Sequence, residues 1–211
     1  MKRISIAVGT VVVIGGLFLL ASQFMETGSR QSPVRVDNAK LVKAYNAKVG
    51  PADAKVTVVE FLDPECETCA ALNPMVKGIV NEYKDRVQFV VRYMLFHGNS
   101  ELAALATEAA GKQGKYWEMQ AQLFHRAGEW SHQDTPQNKV FEKIAGELSL
   151  DVEKFRTDMQ DAQTVANIRA DYHEGPDLGV NATPTFFVNG RMVQELTRDS
   201  IKKMIDEELK N

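Results

Sequence analysis

The sequence is poor in cysteine and in excess charge of either sign. Only two of its 211 residues are cysteine, and its net charge at pH 7 is −3. It contains no basic stripe and no interleaving of basic with aromatic residues, which argues against nucleic acid as a partner. His125, His132 and His173 have no ligand spacing with each other or with the cysteines, so no zinc site is predicted. The methionines are scattered at core-like positions and form no copper-binding run.

The two cysteines that are present, Cys66 and Cys69, form a C-x-x-C motif directly after an apolar run, residues 56–62. A pair at the point where a buried strand gives way to a helix is typical of a redox dithiol. The helix start favours a thiolate at the first cysteine because free N–H groups and the helix dipole lower its pKa. Thr68, between the cysteines, can stabilise the same thiolate by donating hydrogen bonds from its hydroxyl and its N–H. We therefore expect Cys66 and Cys69 to form the active site.

The N-terminal segment decides the compartment. Two basic residues precede an uncharged apolar stretch, residues 4–24, that is long enough to cross a bilayer at about 1.5 Å per residue. A cleaved signal peptide is the alternative, but its apolar core is usually about 7–15 residues long. We predict a membrane anchor over residues 1–25, single-pass in a bacterial inner membrane, with the remaining chain outside the cytoplasm. Either interpretation exports the dithiol to a compartment where disulfides persist.

Beyond the anchor, polar and small residues over 26–36 predict a flexible tether. Residues 37–211 are then enough for one domain with a core. β-Branched runs at 55–62 and 87–94 predict strands, and helical spacing between them predicts a parallel βαβ unit. Helical patterns fill the segment from about 99 to 177, which we interpret as a helical subdomain inserted into an α/β fold.

Smaller signals refine this outline. Pro74 should kink the helix that follows the dithiol. Asn189-Gly190 between two β-rich runs predicts a type I′ hairpin, and a last helix should begin at about Thr197. Within the insertion, Thr135-Pro136 and Asp151 predict the starts of two helices.

Four segments then occur in an order typical of one family. They are the strand and dithiol at 58–69, Pro74, residues 92–104, and the segment GVNATPTFFVNG at 179–190. Over about residues 40–210 the chain resembles the DsbA-like thiol–disulfide oxidoreductases, which have a thioredoxin fold with a helical insertion. The resemblance implies disulfide exchange with exported proteins, with no cofactor beyond the cysteine pair itself.

The resemblance also implies individual roles. Cys66 would be the nucleophile that forms a mixed disulfide with a client, and Cys69 the buried resolving thiol. Glu60 would be the buried acid that moves the proton of Cys69, its pKa raised by burial. The alternative for Glu60, a solvated charge on an edge strand, fits poorly with its apolar neighbours. Thr183-Pro184 would be a cis peptide whose Thr183 backbone pairs with the client, although an ordinary trans turn is the alternative.

The direction of electron flow stays open at this point. Glu65 and Glu67, with Asp63 upstream, should oppose a negative charge on Cys66 and raise its pKa relative to that of an oxidase site. A less stabilised thiolate makes the disulfide less oxidising. His97, at the end of a strand near the expected site, could tune Cys66, but a loop histidine is more often a solvated or capping group. Threonine before the cis-proline likewise resembles isomerases and reductases more than oxidases, so oxidation, isomerisation and reduction all remain.

Partners follow from the same reasoning. An enzyme of this kind needs clients with thiols or disulfides and a membrane redox partner that recycles it, and we expect a monomer. A second hypothesis is a carrier in which the same two thiols hold a soft metal such as Cu(I). Replacing Cys69 with serine would separate the two, because an exchange enzyme would trap clients whereas a carrier would only lose metal.

Overall fold

The computed structural model describes residues 35–210. The predicted anchor, residues 1–25, lies outside the described residues, as does most of the predicted tether. Between residues 35 and 210 no helix combines the length and apolar character needed to span a bilayer.

The centre of the fold is a five-stranded sheet whose strand order is β1-β3-β2-β4-β5. Its two long central strands are parallel, and every other neighbouring pair is antiparallel. The predicted βαβ unit is thus confirmed. Most residues of these two strands are β-branched or aromatic, as expected of strands that are covered on both faces. The strands are β1 (Lys48–Val49), β2 (Val56–Leu62), β3 (Val87–Tyr93), β4 (Thr185–Val188) and β5 (Arg191–Met192).

Helices cover the sheet and make up the insertion. In the described part of the chain they are α1 (Asn38–Leu41), α2 (Glu67–Tyr83), α3 (Ser100–Gly111), α4 (Tyr116–His125), α5 (Ala127–Trp130), α6 (Asn138–Glu147), α7 (Val152–Asp158), α8 (Ala162–Glu174) and α9 (Arg198–Lys210), with a 3-10 turn at Pro176–Leu178. Pro74 lies inside α2, as predicted. The structure is therefore a thioredoxin-like α/β fold with a helical insertion, α3 to α8, between β3 and β4.

The core of the insertion continues into the redox site. The alanine-rich helix α3 is buried almost along its whole length, and its neighbours contribute Trp130, Phe141 and Phe155 to the same cluster. Cys66 and Cys69 belong to this cluster as well. The insertion therefore packs directly against the dithiol.

One predicted helix start is wrong. Helix α6 begins at Asn138, and Gln137 occupies the N-cap without a side-chain capping bond. The hydroxyl and carbonyl oxygens of Thr135 instead accept hydrogen bonds from the Gln137 side chain, at 3.1 and 2.8 Å. Asp151, by contrast, caps α7 by accepting from the N–H of Lys154, which confirms that prediction.

The hairpin between β4 and β5 has the predicted turn. Asn189 and Gly190 have φ angles of 44° and 79°, as a type I′ turn requires. A Cβ atom at position 190 would also collide with the carbonyl oxygen of Val36, which lies in the segment that pairs with the hairpin. The N–H of Val36 donates to the Gly190 carbonyl at 2.9 Å, and Arg35 bridges to Glu208 at 2.7 Å. These two residues, which the sequence assigns to the tether, are held against the domain.

A buried ion network joins β3 to the end of the insertion. The Arg92 guanidinium is fully buried, donates to Asp171 and Glu174 at 2.7 Å each, and lies over the ring of Phe61. Asp171 also accepts from the N–H of Tyr93. Helix α8 is therefore fixed to the sheet by charge-assisted bonds as well as by apolar packing.

Candidate active site

The dithiol lies at the start of α2. Cys66 is the N-cap residue, with extended backbone angles, and Cys69 follows in the first turn. Both are free thiols, of which Cys66 is 9 % exposed and Cys69 2 %. The Cys66 thiol contacts the carbonyl oxygen of Thr183 at 3.6 Å. Cys66 is therefore the more accessible of the two thiols.

The two thiols differ sharply in acidity. The hydrogen bond from the Cys69 thiol, followed by bonds to Thr183 and to the N–H groups of Cys69 and Thr68, lowers the pKa of Cys66 to about 5. The same hydrogen bond, burial and the nearby charge of Glu60 raise the pKa of Cys69 above its usual value. At neutral pH the pair thus holds one thiolate, on Cys66, and one thiol, on Cys69.

Glu60 lies in β2 beneath the dithiol. Its backbone pairs with Val91 on one side and Phe186 on the other, so it occupies the middle of the sheet rather than an edge. Burial raises the pKa of its carboxyl to about 8. Glu60 and Cys69 are therefore coupled, because the ionised form of this carboxyl raises the pKa of the Cys69 thiol.

The loop before β4 completes the site. The Thr183–Pro184 peptide bond is cis, and Pro184 is buried while Thr183 is partly exposed. The Thr183 carbonyl meets the Cys66 thiol, as described above. The structure therefore brings Cys66, Cys69, Thr68, Thr183 and Pro184 together above Glu60.

The pKa of Cys66 is low although three carboxylates are close to it in the sequence. That these carboxylates raise it relative to the pKa of an oxidase site stays a prediction, but the structure shows how two of them are placed. Asp63 and Glu65 are buried and turned away into hydrogen bonds with the insertion. Asp63 accepts from the hydroxyl of Ser100 at 2.5 Å and from the N–H of Phe96 at 2.9 Å. Glu65 accepts from two backbone N–H groups of the insertion, each at 2.6 Å. These donors stabilise the negative charge of the two carboxylates and so weaken its repulsion of the Cys66 thiolate.

Two histidines belong to the same surroundings, of which the sequence singles out only His97 as a candidate. The Nδ1 atom of His97 lies 2.7 Å from Asp63, and the Nε2 atom of His132 lies 2.8 Å from Glu67. Their rings meet edge to face at 5.3 Å. Partial burial opposes protonation of His97, but the bond to Asp63 prevails and raises its pKa. His97 thus brings partial positive charge to a site whose sequence is acidic.

No spacing in the sequence predicts this pairing of histidines with carboxylates. His97 and His132 reach the dithiol loop from two different loops of the insertion, 34 and 65 residues away along the chain from their carboxylate partners.

Across residues 35–210, no three histidine, cysteine or acidic side chains are grouped so that they could hold a metal ion.

Comparisons with known proteins agree with this geometry. A family model described as thioredoxin matches residues 43–207. Disulfide bond formation protein D of Bacillus subtilis is 32% identical over 174 residues, which cover 77% of this chain and 76% of that protein. The Na(+)/H(+) antiporter NhaA 3 of Salinispora tropica is 37% identical over 145 residues, 67% of this chain but 21% of the antiporter. The chain thus spans about a fifth of the length of the antiporters that it matches.

Solved structures extend the comparison. A thioredoxin-like oxidoreductase from Silicibacter pomeroyi superposes with a TM-score of 0.71 at 27% identity, covering 83% of this chain and 99% of that one. The α-DsbA1 protein of Wolbachia pipientis has the same TM-score at 17% identity, covering 82% and 96%, and shows a shared fold. The chain belongs to the thioredoxin family, and within it to the DsbA-like thiol–disulfide oxidoreductases.

Proposed function

We propose that the chain donates disulfides to exported proteins through the Cys66–Cys69 pair. The observation that carries this proposal is the asymmetry of the two thiols, with a pKa of about 5 at Cys66 and a raised pKa at Cys69. A strongly stabilised thiolate makes the reduced pair more stable and the disulfide more oxidising. The name of the Bacillus subtilis relative, disulfide bond formation protein D, supports the same direction.

The chemistry would run in two exchanges. A client thiolate attacks the sulfur of Cys66 in the oxidised pair, the S–S bond breaks, and Cys69 leaves with the electron pair. Glu60, protonated at neutral pH, supplies the proton that Cys69 takes up. A second client thiolate then attacks the client sulfur of the mixed disulfide and releases Cys66 as a thiolate. The client dithiol has lost two electrons to the cysteine pair and, on forming its thiolates, two protons to the solvent. Cys66 ends as a thiolate and Cys69 as a thiol, and the solvent returns one proton to Glu60.

The cis-proline loop would hold the client during these steps. Thr183 presents its backbone beside Cys66, where an extended client segment can pair with it. Thr68 contributes its N–H to the Cys66 thiolate at the same point. Thr183, Pro184 and Thr68 are therefore the residues that we assign to client binding.

The remaining parts of the proposal concern location and recycling. We infer that residues 1–25 anchor the chain in a bacterial inner membrane, that residues 26–36 tether it, and that residues 37–211 work outside the cytoplasm. A membrane redox partner would take the two electrons and restore the disulfide. We expect the chain to act as a monomer.

Trapping tests the exchange reaction directly. The full chain carrying Cys69→Ser should accumulate mixed disulfides with exported proteins, visible as reducible high-mass species, because nothing resolves the Cys66–client bond. Cys66→Ser is the matched control and should trap nothing. If Cys69→Ser traps no client while the wild-type chain binds Cu(I) through both thiols, the exchange proposal is wrong and the metal-carrier hypothesis replaces it.

The reduction potential tests the direction. Equilibration of the pair with glutathione buffers should give a value nearer the oxidising end of the family range, about −120 mV, than the reducing end, about −270 mV. A value at the reducing end would leave exchange chemistry standing but reverse the proposed electron flow.

A further inference from the structure

A cavity lies on the side of Glu60 that faces the helices. It measures about 470 Å³ and lies between α2 and α4, above the central strands. Val58, Phe89, Phe186, Ile201 and Trp117 make most of its wall apolar. Its volume falls in the range of about 300–1,000 Å³ that is typical of small-molecule sites.

Polar side chains interrupt this apolar wall at six positions, of which Asn81, Lys77 and Lys84 are exposed and Asn73 is half-buried. The other two are Gln120 and Glu60. Gln120 of α4 is 8 % exposed, and Glu60 is only partly accessible, at the cavity that it lines. Within the part of the chain that the structure describes, neither side chain is hydrogen-bonded to another protein group, and burial alone accounts for the raised pKa of Glu60. Both side chains line the cavity, so a molecule inside it can form hydrogen bonds with them.

The polar groups of the cavity wall indicate which class of small molecule the cavity can bind. At neutral pH the Glu60 carboxyl is protonated, so it can donate a hydrogen bond, and the Gln120 amide can donate as well. The charged residues at the cavity, Lys77 and Lys84, are exposed at its mouth rather than buried in it. The buried part thus favours an uncharged molecule with an accepting oxygen, because a charged one would lose its hydration without a buried counterion.

We propose that this cavity binds an uncharged, largely apolar small molecule that bears a carbonyl oxygen, held by hydrogen bonds from the Glu60 carboxyl and the Gln120 amide. The molecule would lie next to the redox site without touching either sulfur as a reactant. It would contact Glu60, whose ionised form raises the pKa of Cys69, so the cavity is a point from which a small molecule can act on the dithiol.

A matched pair of probes tests the proposal by binding alone. Butyrophenone carries an aryl ketone, and butylbenzene has nearly the same shape without the oxygen. Calorimetric titration of the full-length chain in detergent micelles should give saturable binding of one butyrophenone, about tenfold tighter than butylbenzene, as expected from a net hydrogen-bond contribution of about 1.4 kcal/mol. Because the readout is heat of binding, it does not depend on whether the chain oxidises or reduces its clients.

Variants identify the place of binding. Gln120→Leu should bring the two affinities to within about twofold of each other, since it removes one donor and keeps the volume. Val80→Trp, or Val76→Trp if the first does not fold, should fill the cavity and abolish saturable binding of both probes. The heat that remains with this variant measures the partitioning of the probes into the micelles. Three results would overturn the proposal and indicate that the cavity holds only water. They are equal affinities of the two probes for the wild-type chain, binding that does not saturate, and unchanged binding in a folded variant whose cavity is filled by tryptophan.

Discussion

The low pKa of Cys66 predicts that the reduced protein gains stability as the pH rises. The thiol has a pKa of 9.0 when unperturbed and about 5 in the fold. A depressed pKa stabilises the fold fully above the unfolded value, and this contribution is lost as the pH falls through the folded value. Cys66 is only 9 % exposed, so solvent screens the effect little.

The magnitude follows from the two pKa values. Each pH unit between 5 and 9 changes the contribution by about 1.4 kcal/mol. At pH 7, two units above the folded pKa, the thiolate contributes about 2.7 kcal/mol to the free energy of unfolding, and at pH 5 less than about 0.5 kcal/mol.

Urea unfolding of the reduced chain at several pH values measures this contribution. The quantity to follow is the free energy of unfolding of the wild-type chain minus that of Cys66→Ser, which has nearly the same shape but no titrating thiol. Other titrating groups, such as Glu60, act in both proteins and largely cancel. The difference should rise between pH 5 and pH 8 with a slope of about 1.4 kcal/mol per pH unit. A difference that stays flat over this range would refute the assignment of the thiolate to Cys66.

Three further perturbations test other parts of the structure. Glu108 accepts a hydrogen bond from Tyr93 at 3.0 Å, and burial raises the pKa of its carboxyl to about 7. Above pH 7 the fold must hold this carboxyl ionised, so Glu108→Gln should stabilise it there by about 1–2 kcal/mol after solvent screening, and should have no such effect at pH 4. A loss of stability at pH 8 would contradict this. His97→Asn should raise the pKa of the nucleophilic thiol, followed by thiolate absorbance, whereas exposed His125→Asn should not; equal effects would remove His97 from the site. Arg92→Met leaves a buried carboxylate unpaired and should cost about 3–5 kcal/mol in urea unfolding. A cost below about 1 kcal/mol would mean that the network does not stabilise the fold.

Local patterns in the sequence were enough to predict the fold and the central cysteines. The β-branched runs gave β2 and β3 to within one residue at each end, because strands buried on both faces leave a continuous apolar signal. Asn189-Gly190 gave the hairpin because few residues adopt positive φ at two successive positions. The helix start predicted at Thr135-Pro136 is wrong because the Thr135 hydroxyl accepts a hydrogen bond from the Gln137 side chain, a local contact that the periodicity of the sequence does not show.

The electrostatics of the site could not be predicted in the same way. Sequence spacing places Asp63 and Glu65 next to Cys66, and proximity alone suggests repulsion. Their actual partners, Ser100 and the N–H of His132, are 37 and 67 residues away and arrive only when the insertion folds back on the dithiol loop. The sign of a charge effect depends on where the side chain points, and that depends on tertiary structure.

The bonds from Asp63 and Glu65 to the insertion have a consequence for protein engineering. A designer who transplants the segment from β2 through Cys69 into another thioredoxin scaffold would transfer the acidic residues without the donors that bind them. In the graft these carboxylates would either stay buried without hydrogen bonds or turn out toward the thiolate. The segment is therefore best transferred together with the insertion residues that bind its acidic side chains.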